Sequence, residues 1–503
     1  MEIFHALFLG FSEIFRIKAL FYCFVGVFIG TLIGVLPGIG PIGTMSLLLP
    51  ITYKAPPLLA IVLLAGIYYG AMYGGSTTSI LVNIPGEAAS VVTCLDGYQM
   101  ARKGRAGPAL GIAAFGSFIA GTIGLVGLML IAPPLASIAL RFGPPEYFSL
   151  MCVGLIILIY LASGSVIRAL MMAAFGIILG CIGVDPETGF TRFVFGIPDL
   201  MDGIGMAPFV MGLFGISEVF LNIEQSLKGR SIFTTKVKGL FPNWQDWKDS
   251  IMPISRGSIL GFLLGILPGG GAVISSFVSY AVEKKISRHP EKFGTGTIEG
   301  VAAPESANNS ATAGAFIPLL TLGIPPNVVM ALLLGVFIIH GVVPGPRLIS
   351  DNPNIFWGLV ASMYVGNIML LILNLPLIGL WVQLLRVPYK ILFPLILLFC
   401  IIGAYSINNS TFDIAVMLVF GVTGYLMRKY KYEGAPMVLA FVLGPMFENS
   451  LRQSLLLSDG SFSIFFTRPI AAGGMITTIL LLIGSIIPSI RRRKEMIPME
   501  EKN

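Results

Sequence analysis

Charge is the scarcest commodity in this sequence. Asp, Glu, Lys and Arg make up 11% of its 503 residues, where a soluble domain carries about 25%. Hydrophobic residues make up 55% and the mean hydropathy is +0.88. No soluble fold of this length could hide that much apolar surface from water, so lipid is the natural solvent. Histidine is almost absent: His5, His289 and His340 lie far apart, without metal-ligand spacing. The five cysteines, Cys23, Cys94, Cys152, Cys181 and Cys400, form no CxxC pair and read as single structural residues. No P-loop sequence is present, which argues against ATP hydrolysis by this chain. No GxSxG or Ser-His-Asp signal points to a hydrolase. The net charge of +7 is scattered in short clusters between apolar runs, so nucleic acid is not an expected partner.

Long, continuous apolar runs are abundant. They exclude the short alternating strands of a β-barrel and predict an all-α polytopic membrane protein with about 10–14 membrane segments, several of them too short to cross a bilayer of about 30 Å. Residues 1–18 read as an interfacial helix and not as a cleavable leader, because Glu2, Glu13, Arg16 and Lys18 interrupt the apolar stretch. A first transmembrane repeat is expected over 19–222, a polar linker over 223–253 and a second repeat over 254–450. Residues 451–503 are expected to supply a last membrane helix and a basic tail. Arg491, Arg492, Arg493 and Lys494 follow an apolar run directly and place the C-terminus in the cytoplasm by the positive-inside rule.

The two halves share elements. Gly34-Val35-Leu36-Pro37-Gly38-Ile39-Gly40-Pro41 returns as Gly265-Ile266-Leu267-Pro268-Gly269-Gly270-Gly271-Ala272. Asn83-Ile84-Pro85-Gly86-Glu87 is matched by Gly323-Ile324-Pro325-Pro326-Asn327. Each second element follows a small polar stretch, containing Ser76, Thr77, Thr78 and Ser79 in one half and Asn308, Asn309, Ser310 and Thr312 in the other. Pro breaks a helix and Gly lets a ligand approach the backbone. A helix restarting after the break offers free N–H groups to an anion. Carbonyls, hydroxyls and amides suit Na⁺. Two broken helices or re-entrant hairpins meeting near the midplane would form a transport site. Basic flanks give the second hairpin a cytoplasmic entry, with arms of about 13 residues or fewer, about 20 Å of helix. Inverted repeats give alternating access its simplest geometry.

The site expected from these elements comprises Pro37, Gly38, Gly40, Ser76, Thr77, Thr78, Asn83, Gly86, Pro268, Gly269, Gly270, Gly271, Asn308, Asn309, Ser310, Thr312, Pro325 and Asn327. Small residues also mediate tight helix packing, the competing reading of each element alone. Glu87 and Glu305 are acids beside the breaks. Either could carry a proton, complete a cation site or cap a helix. Asp96, Arg102, Lys103 and Arg105 read as a solvated loop.

On GVLPGIGP at Gly34–Pro41, the stretch Tyr73–Gly111, GILPGGGA at Gly265–Ala272 and the segment Ala303–Pro325, the chain resembles the TctA family, the large membrane subunit of tripartite tricarboxylate transporters. The likeness spans roughly residues 15–450. It implies a small TctB-like membrane subunit, a periplasmic TctC-like solute-binding protein, and residence in the cell inner membrane. It also implies elevator-type uptake of citrate or another carboxylate on a Na⁺ or H⁺ gradient, without other cofactors. Pro326 departs from the family's usual Gly and leaves the second tip's geometry open. A cation-coupled transporter of another organic anion, an intramembrane enzyme and a channel are the alternatives; the enzyme would need a nucleophile and base or a metal pair, and the sequence offers neither.

Overall fold

The computed structural model describes residues 2–36, 40–83, 85–161, 166–185, 187–226, 239–269, 271–384 and 389–483. Pro37, Gly38, Gly270 and the basic cluster Arg491–Lys494 lie outside the described residues. The helices are α1 (Glu2–Ile14), α2 (Ile17–Val35), α3 (Gly40–Thr52), α4 (Pro57–Val82), α5 (Thr93–Arg102), α6 (Ala106–Ala139), α7 (Pro144–Leu161), α8 (Val166–Gly180), α9 (Met206–Val210) and α10 (Ser217–Ser226). They continue with α11 (Trp244–Ile266), α12 (Gly271–Ile286), α13 (Glu299–Leu322), α14 (Val328–Ile339), α15 (Leu348–Asp351), α16 (Pro353–Asn374), α17 (Ile378–Leu384), α18 (Tyr389–Asn408), α19 (Thr411–Lys429), α20 (Gly434–Leu457) and α21 (Ile464–Thr467). One two-residue antiparallel pair, Gly183–Val184 with Thr191–Arg192, is the strand content among the described residues.

Five of these helices, α2, α4, α6, α16 and α19, are long and apolar enough to cross a membrane. Together with the composition this makes the chain an all-α polytopic membrane protein. It divides into two compact units, residues 1–140 with 205–426, and 141–204 with 427–503.

The first unit is built on two helix pairs with the same contact chemistry. Gly26, Gly30 and Gly34 recur every fourth residue on α2 and face α4. A methyl carbon built on them would lie 2.4, 2.6 and 2.4 Å from the carbonyl oxygens of Leu63, Ile67 and Ala71. Gly257, Gly261 and Gly265 repeat the spacing on α11 and face α13, where the same methyl would lie 2.5, 2.1 and 2.3 Å from the carbonyls of Ala303, Ala307 and Ala311. Lipid supplies no hydrophobic drive between helices, so this backbone-to-backbone approach is what holds each pair together. It buries α4 and α13 almost wholly, polar residues included.

Each pair precedes or contains a chain break. α2 ends at Val35 and α3 restarts at Gly40; α11 ends at Ile266 and α12 restarts at Gly271. The arms of the second break are longer than the apolar run implied. α11 has 23 residues and α12 has 16. Asn243 and Asp246 close a capping box that starts α11 inside the expected polar linker. The charged first turns therefore belong to the helix. Arg256 and Glu283 clasp the two arms through bonds of 2.9 and 2.6 Å. α1 packs along α16, its Gly10 against the Trp357 carbonyl.

In the second unit, α20 packs on α7 and α8. Arg192 and Arg452 interlock with Asp185 and Glu448 beside the short strand pair, at 2.6 to 3.0 Å.

Candidate functional site

Both breaks are met by the turn that ends the neighbouring buried helix. α4 terminates at Asn83 in the left-handed region, φ +56°. α13 terminates at Gly323, φ +70°, in the same region. In the sequence each is followed by Ile-Pro, a pair that disfavours continuing a helix. In the first half this brings Gly86 onto the end of α2: a methyl on Gly86 would lie 1.8 Å from the Gly34 carbonyl oxygen and 2.6 Å from Thr78 Oγ1. Only a bare Cα fits there. In the second half the Gly269 N–H donates to the Pro326 carbonyl at 2.8 Å, with Gly269 at φ +78° and Gly271 at φ +45°. The bond uses the backbone carbonyl alone, which Pro and Gly supply equally, so this contact tolerates Pro at 326.

The two acids part in their surroundings. Glu305 is wholly buried on α13. Its Oε2 accepts from Ser76 Oγ at 2.5 Å and from Asn308 Nδ2 at 3.4 Å, and its Oε1 accepts from Thr93. It thus joins the polar stretch of one half to that of the other. Glu87 caps the short 3₁₀ turn Ala88–Val91 through Oε2, which accepts from the Ala89 N–H at 2.9 Å, and Ser90 completes a capping box. Glu87 Oε1 is buried without a hydrogen-bond partner.

The other expected residues fall into three settings. Asn309 Nδ2 donates to Ser117 Oγ at 2.8 Å, to the Glu305 carbonyl at 3.1 Å and to Asn308 Oδ1 at 2.6 Å, so these residues form one network with Glu305 and Ser76. Thr312 Oγ1 bonds back to the Asn309 carbonyl, Thr78 Oγ1 to Gly75, and Ser310 Oγ is buried without a partner. Thr77 is buried on α4. Asn327 caps α14: its Oδ1 accepts from the Met330 N–H at 3.0 Å, and its Nδ2 donates to Tyr68 at 3.5 Å. Gly40 and Gly271 are the first residues of α3 and α12, and Pro268 and Pro325 lie in the turns beside them.

Sequence reasoning missed several members. Thr93 and Ser117 join the network, while Tyr73 donates to Asn367 Oδ1 at 2.6 Å in a second buried pair. Of these, Ser117 and Asn367 sit in apolar runs outside every duplicated element, where a lone polar residue is the available signal. Asp96 corrects the expectation of a solvated loop. It is wholly buried on α5, and its carboxylate accepts from the Gly294, Gly296 and Thr297 N–H groups at 2.7–3.0 Å and from Tyr280 Oη at 2.8 Å. Four donors from the second half offset its desolvation, something no local reading of Cys94–Arg105 discloses. Lys103 donates to the Thr295 carbonyl and Arg105 pairs with Asp246, so the segment is a joint between the halves.

Among the described residues no group of three or more His, Cys, Asp or Glu is placed to hold a metal. The site is one of neutral amides, hydroxyls, helix ends and two carboxyls. Such a surface can strip water from a small ion or a carboxylate and replace it with fixed dipoles.

This chain has relatives among known proteins. An uncharacterized 52.8 kDa protein in the TAR-I ttuC' 3' region of Agrobacterium vitis is 50% identical over 501 residues, covering 100% of both chains. A protein in the TAR-II ttuC' 3' region of the same organism is 52% identical over 241 residues, 48% of this chain and 100% of that one. No solved structure matches. The Tripartite tricarboxylate transporter TctA family model matches residues 20–439, a span that holds both breaks, both left-handed helix ends and the network around Glu305, and the chain belongs to that family.

Proposed function

We propose that the chain is the large membrane subunit of a binding-protein-dependent secondary transporter that takes up tricarboxylates or other carboxylates on a Na⁺ or H⁺ gradient. The observation that carries this reading is the duplicated meeting of a glycine break with a left-handed helix end, Gly34 with Gly86 and Gly269 with Pro326. Broken helices of this kind are tolerated at membrane depth only where protein or a polar cavity surrounds them. Helices α3 and α12 restart at the breaks and offer N–H groups to a carboxylate, with Asn308, Asn309, Ser76 and Thr77 nearby in the helices that carry the turns.

In this reading the two breaks are the tips of re-entrant hairpins in inverted repeats. The repeats span 19–222 and 254–450, and a substrate-carrying core moves against a scaffold. A TctB-like small membrane subunit and a TctC-like periplasmic binding protein complete the system in the inner membrane, with the basic C-terminus in the cytoplasm.

The test is uptake of labelled citrate and a panel of di- and tricarboxylates into proteoliposomes holding this chain and its small subunit. The binding protein is supplied outside, and Na⁺ and H⁺ gradients are imposed separately. Uptake that requires a gradient and the binding protein, and disappears in Gly269→Leu, is the expected result. A folded, assembled complex that moves no carboxylate under either gradient overturns the proposal.

A further inference from the structure

A small cavity beside Glu305 is lined by oxygens, most of which have given their hydrogens to other groups. It encloses about 10 Å³, room for one water-sized body. Its polar lining comes from Tyr73, Ser76 and Thr77 on α4, Ser117 on α6 and Asn374 at the end of α16; Leu110 and alanines of α6 close the rest. Tyr73 gives its hydroxyl hydrogen to Asn367. Ser76 gives its own to Glu305 Oε2 at 2.5 Å, with the Met72 carbonyl as a weaker alternative at 3.2 Å. Ser117 donates to the Glu305 carbonyl at 3.4 Å. Asn374 uses Nδ2 on the Leu370 carbonyl at 2.9 Å, while its Oδ1 is buried without a donor. Asn374 is only 5% exposed. A hydroxyl that has given its one hydrogen away presents lone pairs alone. Tyr73, Ser76, Ser117 and Asn374 therefore offer acceptors to whatever enters, which favours a cation over a carboxylate.

Charge points the same way. Glu305 is wholly buried, and its three side-chain donors, Ser76, Thr93 and Asn308, are all neutral. A buried carboxylate with no cationic partner is costly. A monovalent ion one hydroxyl away, across Ser76, would offset that cost.

We propose that this cavity is a site for one dehydrated monovalent cation of sodium's size, held by oxygens of Ser76, Thr77, Ser117 and Asn374 and balanced by Glu305. Hard cations take oxygen ligands of this kind. Occupancy would also order Ser117, which receives Asn309 Nδ2 at 2.8 Å, and so link the ion to the amide cluster of the second half. The role in coupling rests on the transporter reading; the binding itself does not.

The test is ²²Na⁺ binding to the purified full chain in detergent, at constant ionic strength, with unlabelled Na⁺ and K⁺ as competitors. Saturable binding displaced by Na⁺ far better than by K⁺ is expected. Asn374→Leu and Ser117→Ala should each weaken it by about tenfold or more. Asn374→Asp, which adds a charge to the lining, should tighten it, a gain that misfolding cannot imitate. No saturable binding by the wild-type chain, or Asn374→Asp binding no more tightly than wild type, overturns the site and leaves it a water cavity. Na⁺ binding without carboxylate uptake in the proteoliposome assay would sink the transporter reading and leave the site standing. Uptake without Na⁺ binding would do the reverse.

Discussion

Gly261→Ala tests whether backbone contact between α11 and α13 sets the position of the network. The added methyl would lie 2.1 Å from the Ala307 carbonyl oxygen, 2.6 Å from its Cα and 2.7 Å from its carbonyl carbon. All three are main-chain atoms of a helix interior, so no rotamer change makes room. Ordinary contact begins near 3.4 Å, so the helices must separate by about 1.3 Å. Overpacking of this kind costs about 1–3 kcal/mol. The displaced helix carries Glu305 and Asn309, whose bonds to Ser76 and Ser117 are 2.5 and 2.8 Å long and cannot stretch that far. The variant should therefore unfold at lower temperature in detergent and lose uptake. Gly473→Ala is the control. It lies in an exposed helical stretch with nothing within 4 Å of the built methyl, and Ala is the better helix former by about 1 kcal/mol. If Gly261→Ala matches Gly473→Ala in thermal midpoint and uptake, the close approach of α11 and α13 is not what holds the site.

Three further outcomes follow from particular contacts. Asp96→Ala leaves three backbone N–H groups and the Tyr280 hydroxyl without an acceptor, at about 1–3 kcal/mol for each group that finds no water; limited proteolysis should cut near Gly294–Thr297 in the variant and not in the wild type. Asn309→Ala removes the donor to Ser117 and Asn308 and leaves those buried acceptors short of a partner, so the thermal midpoint should fall and uptake should drop at least about tenfold; equal uptake would remove Asn309 from the site. Asp185 is held below the usual carboxylate range first by the Thr188 hydroxyl, and further by Arg452, the Glu187 N–H and Arg192. Its lowered folded-state value means the unfolded chain binds the proton more tightly, so its contribution is present above the ordinary Asp range and is lost as pH falls below about 4. Thr188→Ala should move the acid transition of the second unit to higher pH, read by circular dichroism; an unmoved transition would show that Arg192 and Arg452 suffice.

Much of the fold was legible because it depends on composition and local chemistry. Sparse charge and long apolar runs require spanning helices whatever their arrangement. Pro and Gly at 37–40 and 268–271 act on their own backbone, and α2 ends at Val35 and α11 at Ile266, with new helices from Gly40 and Gly271. Glu305 was readable as well, because an acid inside an apolar run must find partners. Polar residues lying outside the repeated elements were not legible. Ser117, Asn367 and Asn374 gain their roles from helices hundreds of residues away, and Asp96 is buried by a loop of the other half.

The sequence by itself determined the solvent, the helical class, the duplicated breaks and the family likeness, since each follows from residues acting on neighbours within a few positions. Tertiary structure decided which oxygens face which. It separated Glu305, ringed by donors, from Glu87, half unpartnered, and it turned an apparently solvated Asp96 into a clamp. Those outcomes depend on which helices approach within one side chain's reach, and that distance is set by three-dimensional packing of glycine against carbonyl.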